Sequence, residues 1–177
     1  QNHKKEMKGS SKRFHVEKLK FLGTDGRDVY NPAPPFDTTI DGQPIRILLG
    51  RVEPRENHES EVWFFTESAP GVFSAVEGLP KLKMEDPFWS LINGELVMGG
   101  VETYPDPHKE GQLAYRTVFF RDGGKGVDHL ERFAVGPDRM KDIRLLQLAD
   151  NSILVATRPQ GPSLETGGRG RVGLTYI

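Results

Sequence analysis

The chain has 177 residues, 36% hydrophobic and 28% charged, the make-up of one ordinary globular domain. A net charge of −1 removes the electrostatic case for a nucleic-acid or membrane partner, and the lack of cysteine removes disulfides, thiolate metal ligands and cysteine nucleophiles. Cysteine-free composition also fits a reducing, cytoplasmic setting, and no apolar run reaches the roughly 18 residues of a membrane span.

The basic stretch up to Arg13 reads as a solvated tail, with disorder expected over residues 1–12. One all-β domain is expected over residues 13–177, because Gly and Pro punctuate the chain and few windows carry a 3.6-residue period. Asn31-Pro32 opens a stretch that passes the Asp41-Gly42 turn into the apolar run from Ile45 to Glu53. Glu61 to Glu67 is β-branched and aromatic, a strand signal. Glu85-Asp86-Pro87 opens a second stretch, which passes Asn93-Gly94 into the run from Glu95 to Glu102. Ala114 to Arg121 is another strand, and Gly123-Gly124-Lys125-Gly126 is a hairpin loop with the wrong spacing for a P-loop. Lys141-Asp142 opens a third stretch, with a hairpin through Asp150-Asn151 and a run from Ile153 to Arg158. Gly167 to Arg171 is one copy of an arginine-glycine tract, read as a loop. The chain stops in the strand-like run Val172–Ile177, and further protein is expected beyond it.

The three openings recur 55 residues apart, from 31 to 86 and from 86 to 141. A period near 50 signals a supersecondary unit repeated in space, a propeller or solenoid. Each unit holds about four short strands, the size of a propeller blade, and closure takes at least four blades. Three units therefore predict an incomplete propeller.

Residues at equivalent inner positions of such units would converge on one axis. Asp86 is the sharpest candidate, because Pro87 biases its backbone toward an extended form. The neighbouring Glu85 carboxylate and the Phe88 and Trp89 rings would raise its pKa, as a general acid needs. Arg51 and Arg158 end the second apolar run of the first and third units. Each could grip a phosphate or sugar hydroxyls, or make a buried salt bridge to Glu53 or Glu102. Lys141 offers a point charge for an anion, and Arg116 and Arg121 are weaker candidates. The five histidines show no metal-ligand spacing, and no Gly-x-Ser-x-Gly elbow is present, so no metal or cofactor is expected.

Taken in order, Val29-Tyr30-Asn31-Pro32-Ala33, Leu48 to Glu53, Glu85-Asp86-Pro87, Lys141-Asp142 and Thr157-Arg158-Pro159 resemble the β-mannoside phosphorylase and β-mannosidase family of five-bladed propellers. The likeness is nearest to a former domain-of-unknown-function group of β-1,2-mannan mannosyltransferase/phosphorylases (glycosyltransferase family 108, related to glycoside hydrolase family 130). It covers about residues 20–177. One departure is Phe88, where the phosphorylase motif usually continues with arginine. The resemblance implies a five-bladed propeller of which this chain supplies about three blades. It implies inverting phosphorolysis or transfer of β-linked mannose, with Asp86 as general acid. Asn31, Arg51, Glu85, Lys141, Asp142 and Arg158 would bind substrate. The partners would be a mannose-containing oligosaccharide with inorganic phosphate or mannose 1-phosphate. A β-mannosidase-type hydrolase and a non-catalytic sugar-binding propeller are the alternatives.

Overall fold

The computed structural model describes residues 17–56, 59–159 and 171–177. The expected tail over residues 1–12, most of the arginine-glycine tract, and His3, His15 and His58 lie outside the described residues.

Two turns fix the hairpins nearest the site. Asp41 and Gly42 have φ of 49° and 71°, and Asn93 and Gly94 have φ of 53° and 78°. Positive φ at both central residues is the type I′ geometry that twists with the strands, which Asn, Asp and Gly tolerate best. Strand β3 (Phe36–Ile40) thus folds back on β4 (Gln43–Glu53), with Ile40 opposite Gln43. Likewise β7 (Glu85–Ile92) folds back on β8 (Glu95–Pro105), with Ile92 opposite Glu95. The third predicted hairpin is also present, as β11 (Met140–Gln147) paired with β12 (Ile153–Pro159).

These hairpins belong to three sheets. The first runs β1 (Lys20–Leu22), β6 (Val72–Ala75), β5 (Glu61–Ala69), β4, then β2 (Asp28–Tyr30), with β3 also beside β4. The second runs β10 (Glu131–Val135), β9 (Leu113–Arg121), β8, β7. The third runs β11, β12, β13 (Gly173–Tyr176). Pairing is antiparallel except between β1 and β6. Among the described residues the only helical element is a 3-10 turn, Val127–His129, so the all-β expectation holds. The loop Gly123–Gly126 does lead β9 toward its antiparallel partner β10.

Sheets one and two pack face to face. Ile47, Leu49, Val62 and Phe64 of the first meet Leu96, Met98 and Val118 of the second. Sheets two and three meet through Phe88, Val97 and Phe119 against Ile143, Leu145 and Val155. The other face of sheet one buries Leu48, Val52, Trp63 and Phe65 under Phe21 and Phe73. Strands covered on both faces need apolar residues at every position, which is why Ile47–Leu49 and Leu96–Met98 read as continuous runs rather than alternations.

One edge strand of every sheet, β2, β7 or β11, breaks at the same place. Tyr30, Glu85 and Lys141 sit opposite Arg51, Val101 and Arg158. Just beyond, β2 ends in the first sheet, and the register shifts between Glu85 and Phe88 in the second and between Lys141 and Arg144 in the third. The residue at each break has a left-handed backbone: Asn31 at φ 47°, Asp86 at 48° and Asp142 at 60°. A bulge re-aims one side chain, and strained φ in non-glycine residues gathers at functional sites. The spatial repeat therefore aligns Asp142, not Lys141, with Asn31 and Asp86. It also corrects the expected backbone of Asp86, which is left-handed rather than extended.

Glycine makes the second bulge possible. A Cβ on Gly100 would lie 2.6 Å from the Glu85 carbonyl oxygen and 2.8 Å from the Met84 sulfur. Gly100→Ala is expected to cost about 1–3 kcal/mol by overpacking and to displace Asp86. The check is a urea midpoint with activity measured on the folded fraction; full activity at normal stability would show that the bulge tolerates a side chain.

Candidate active site

The three breaks bring polar groups of all three sheets into one network. Asn31 donates its amide to Asp86 Oδ1 at 2.7 Å. Arg51 reaches the same oxygen at 3.3 Å and Glu85 Oε2 at 3.4 Å. From the third sheet, Arg144 donates to the Asp86 carbonyl oxygen at 3.3 Å and lies 3.7 Å from Asp142 Oδ1. Arg158 donates to Asp142 Oδ2 at 2.8 Å. These seven residues therefore form one connected polar network drawn from all three sheets: Asn31, Arg51, Glu85, Asp86, Asp142, Arg144 and Arg158.

Arg51 is clamped from behind. Its Nε donates to Ser60 Oγ at 2.8 Å, and its second guanidinium nitrogen lies 2.9 Å from Glu53 Oε2. Ser60 donates to that same Glu53 oxygen at 2.9 Å, and the Tyr30 hydroxyl bonds it too. Burial and the hydrogen bond to Glu53 push the Tyr30 phenol up to about 12, so at neutral pH it remains a donor. Burial alone would lower the pKa of Arg51, but the carboxylates of Glu85, Glu53 and Asp86 outweigh it and hold it above its usual value. Arg144 goes the other way. Burial lowers its pKa, and Asp142 and Asp86 do not fully compensate.

Of the two sequence expectations for Arg51, the buried bridge to Glu53 is present, and the same guanidinium also faces Asp86. Arg158 pairs with Asp142. Glu102 takes Arg116 and Arg132 instead, at 2.6 and 2.8 Å, so Arg116 serves that network. Lys141 turns its ammonium over the Tyr115 ring, 5.5 Å from the centroid. The rings expected beside Asp86 serve the core: Phe88 packs on Phe119, and Trp89 packs on Phe36 and donates to the Pro34 carbonyl oxygen.

Arg144 was not among the sequence candidates. It occupies the register position in the third sheet that Phe88 holds in the second, opposite Ala156 and Gly99. Its guanidinium lies 4.6 Å from the centroid of the Phe88 ring. Aligning the units at their bulges, rather than at their charged pairs, would have found it.

Among the described residues no group of three or more His, Asp or Glu side chains converges as a metal site would. No helix in them is long and apolar enough to cross a membrane.

Solved structures share this architecture. A mannose phosphorylase from Leishmania mexicana (MPT-4), in complex with phosphate ion, is 35% identical with a TM-score of 0.77, over 99% of this chain and 52% of its own. A GDP-Man-dependent mannosyltransferase from Leishmania mexicana (MPT-1) is 35% identical with a TM-score of 0.76, over 98% of this chain and 50% of its own. A hypothetical protein from Leishmania major is 32% identical with a TM-score of 0.76, over 100% of this chain and 53% of its own. The chain thus spans about half the length of the structures it matches. No curated protein matches it. The family model described as protein of unknown function (DUF1861) matches residues 6–177, and the chain belongs to that family.

Proposed function

We propose that the three sheets are blades of a five-bladed propeller enzyme that moves β-linked mannose between an oligosaccharide and phosphate. The observation that carries this reading is that Asn31 meets Asp86, and Asp142 joins them through Arg144, at equivalent breaks of three sheets, with three arginines around them. The likeness to a phosphorylase solved with phosphate and to a mannosyltransferase supplies the chemistry.

Asp86 acts as the general acid. Asn31 and Arg51 both hold Oδ1, so Oδ2 is the oxygen assigned to the proton. That proton passes to the glycosidic oxygen as its bond to C1 breaks. A phosphate oxygen bonds C1 from the opposite face, so a β-mannoside yields α-mannose 1-phosphate and a shortened acceptor. Asp86 recovers a proton from solvent or from the incoming phosphate. Phosphate is already a nucleophile, so no second carboxylate is needed to activate water, as an inverting hydrolase requires. Run backwards, the same site lengthens the acceptor.

Arg144 of β11 and Arg158 of β12 receive the phosphate. The lowered pKa of Arg144 marks a guanidinium that a further anion would stabilise. Replacing Arg158 with Ala is expected to raise KM for phosphate about tenfold or more, with KM for the sugar changed far less. Initial rates over a phosphate series measure this, and an unchanged phosphate KM would remove Arg158 from the anion site.

A further inference from the structure

A cleft of about 430 Å³ opens beside Glu85, between the first and second sheets. Its size falls in the range of about 300–1,000 Å³ typical of small-molecule sites. Its charged lining is Arg27, Glu59, Glu61, Lys83 and Glu85. Val101, Thr103 and Leu113 come from the second sheet, and Leu113 is 69% exposed at the opening. The cleft joins the site directly, because Ser60 also lines it and accepts from the Arg51 guanidinium that faces Asp86.

The balance of charge decides what the cleft can hold. Arg27 is already paired to Glu61 at 3.0 Å, and Glu85 to Arg51 at 3.4 Å. A phosphate or a nucleoside diphosphate would meet arginines already engaged by carboxylates there. A neutral polyol needs no free cation. Interspersed carboxylates and cations accept from and donate to hydroxyls, and an exposed leucine offers an apolar surface to the C–H face of a sugar ring. The arginines Arg144 and Arg158 lie on the third sheet instead.

We propose that this cleft binds the acceptor side of the oligosaccharide, the sugar units beyond the leaving group, while phosphate enters from the third sheet. The proposal rests on the transfer reading above. It gives the site a direction that suits an in-line inverting displacement, in which nucleophile and leaving group occupy opposite sides of C1.

The test compares β-1,2-mannobiose with mannotetraose, using the full chain and saturating phosphate. Wild type is expected to favour the tetraose by about tenfold in kcat/KM, the size of one well-made subsite. Thr103→Trp, an exposed position that would fill the cleft, should abolish that preference and leave the biose unaffected. Leu113→Ala should reduce it. Equal values in wild type, or an undiminished preference in Thr103→Trp, would overturn the assignment. If wild type turns over neither sugar, the transfer reading fails, and calorimetric titration with the tetraose decides the cleft on its own. Binding that Thr103→Trp weakens supports the cleft; absent or unweakened binding overturns it.

Discussion

Asp86→Asn is expected to lower kcat by about 10²–10⁴-fold, the usual contribution of a positioned general acid, or about 3–5 kcal/mol of barrier. Asparagine keeps the shape and a side-chain oxygen for Asn31 and Arg51 but has no acidic proton to give. Sugar binding should survive, because Arg51 remains anchored to Ser60 and Glu53. Steady-state kinetics and a binding titration on the same variant separate the two effects. A variant that turns over at near wild-type rate would remove Asp86 from the chemistry. A variant that loses binding and turnover equally would make it a substrate-holding group instead.

Glu53→Ala carries the largest expected cost in stability. The Glu53 side chain is 5% exposed and receives Arg51, Ser60 and Tyr30. Removing one member of a buried ion pair leaves the other charge uncompensated, which costs about 3–5 kcal/mol. Much of that falls on Arg51, whose side chain is 15% exposed. The same change frees the guanidinium to leave Asp86, so the protein that remains folded should also be slower. Glu53→Gln keeps hydrogen-bonding capacity and should be intermediate in both respects. Urea unfolding with an unchanged m-value measures the stability part. A loss under about 1 kcal/mol would mean that Glu85 and Asp86 suffice to hold Arg51 without the clamp.

Much of this fold is legible in the sequence because its turns are short and chemically specific. Asp41-Gly42 and Asn93-Gly94 each fix a two-residue hairpin, and a hairpin fixes the register of its strands. Continuous apolar runs announce strands buried on both faces. Asp86 is visible for a different reason, since Pro87 marks the bulge. The third unit has Ile143 at that point, so nothing marks its bulge, and a charged pair invites alignment at Lys141 instead of Asp142. The error is one residue, yet in a strand one residue exchanges one face for the other. That slip also concealed Arg144, which in sequence is a single polar residue amid hydrophobic neighbours. Ser60 escaped notice because its role depends on a contact across strands, from Arg51 nine residues earlier. The cleft beside Glu85 has no sequence signature, because it forms only where two sheets meet.

The most direct measurement is phosphorus NMR of the full chain with β-1,2-mannobiose and inorganic phosphate. The account predicts a growing α-mannose 1-phosphate signal, matched by free mannose from the released acceptor, and no reaction when phosphate is left out. Cleavage of the disaccharide at full rate without phosphate, with no sugar phosphate formed when it is present, would contradict it.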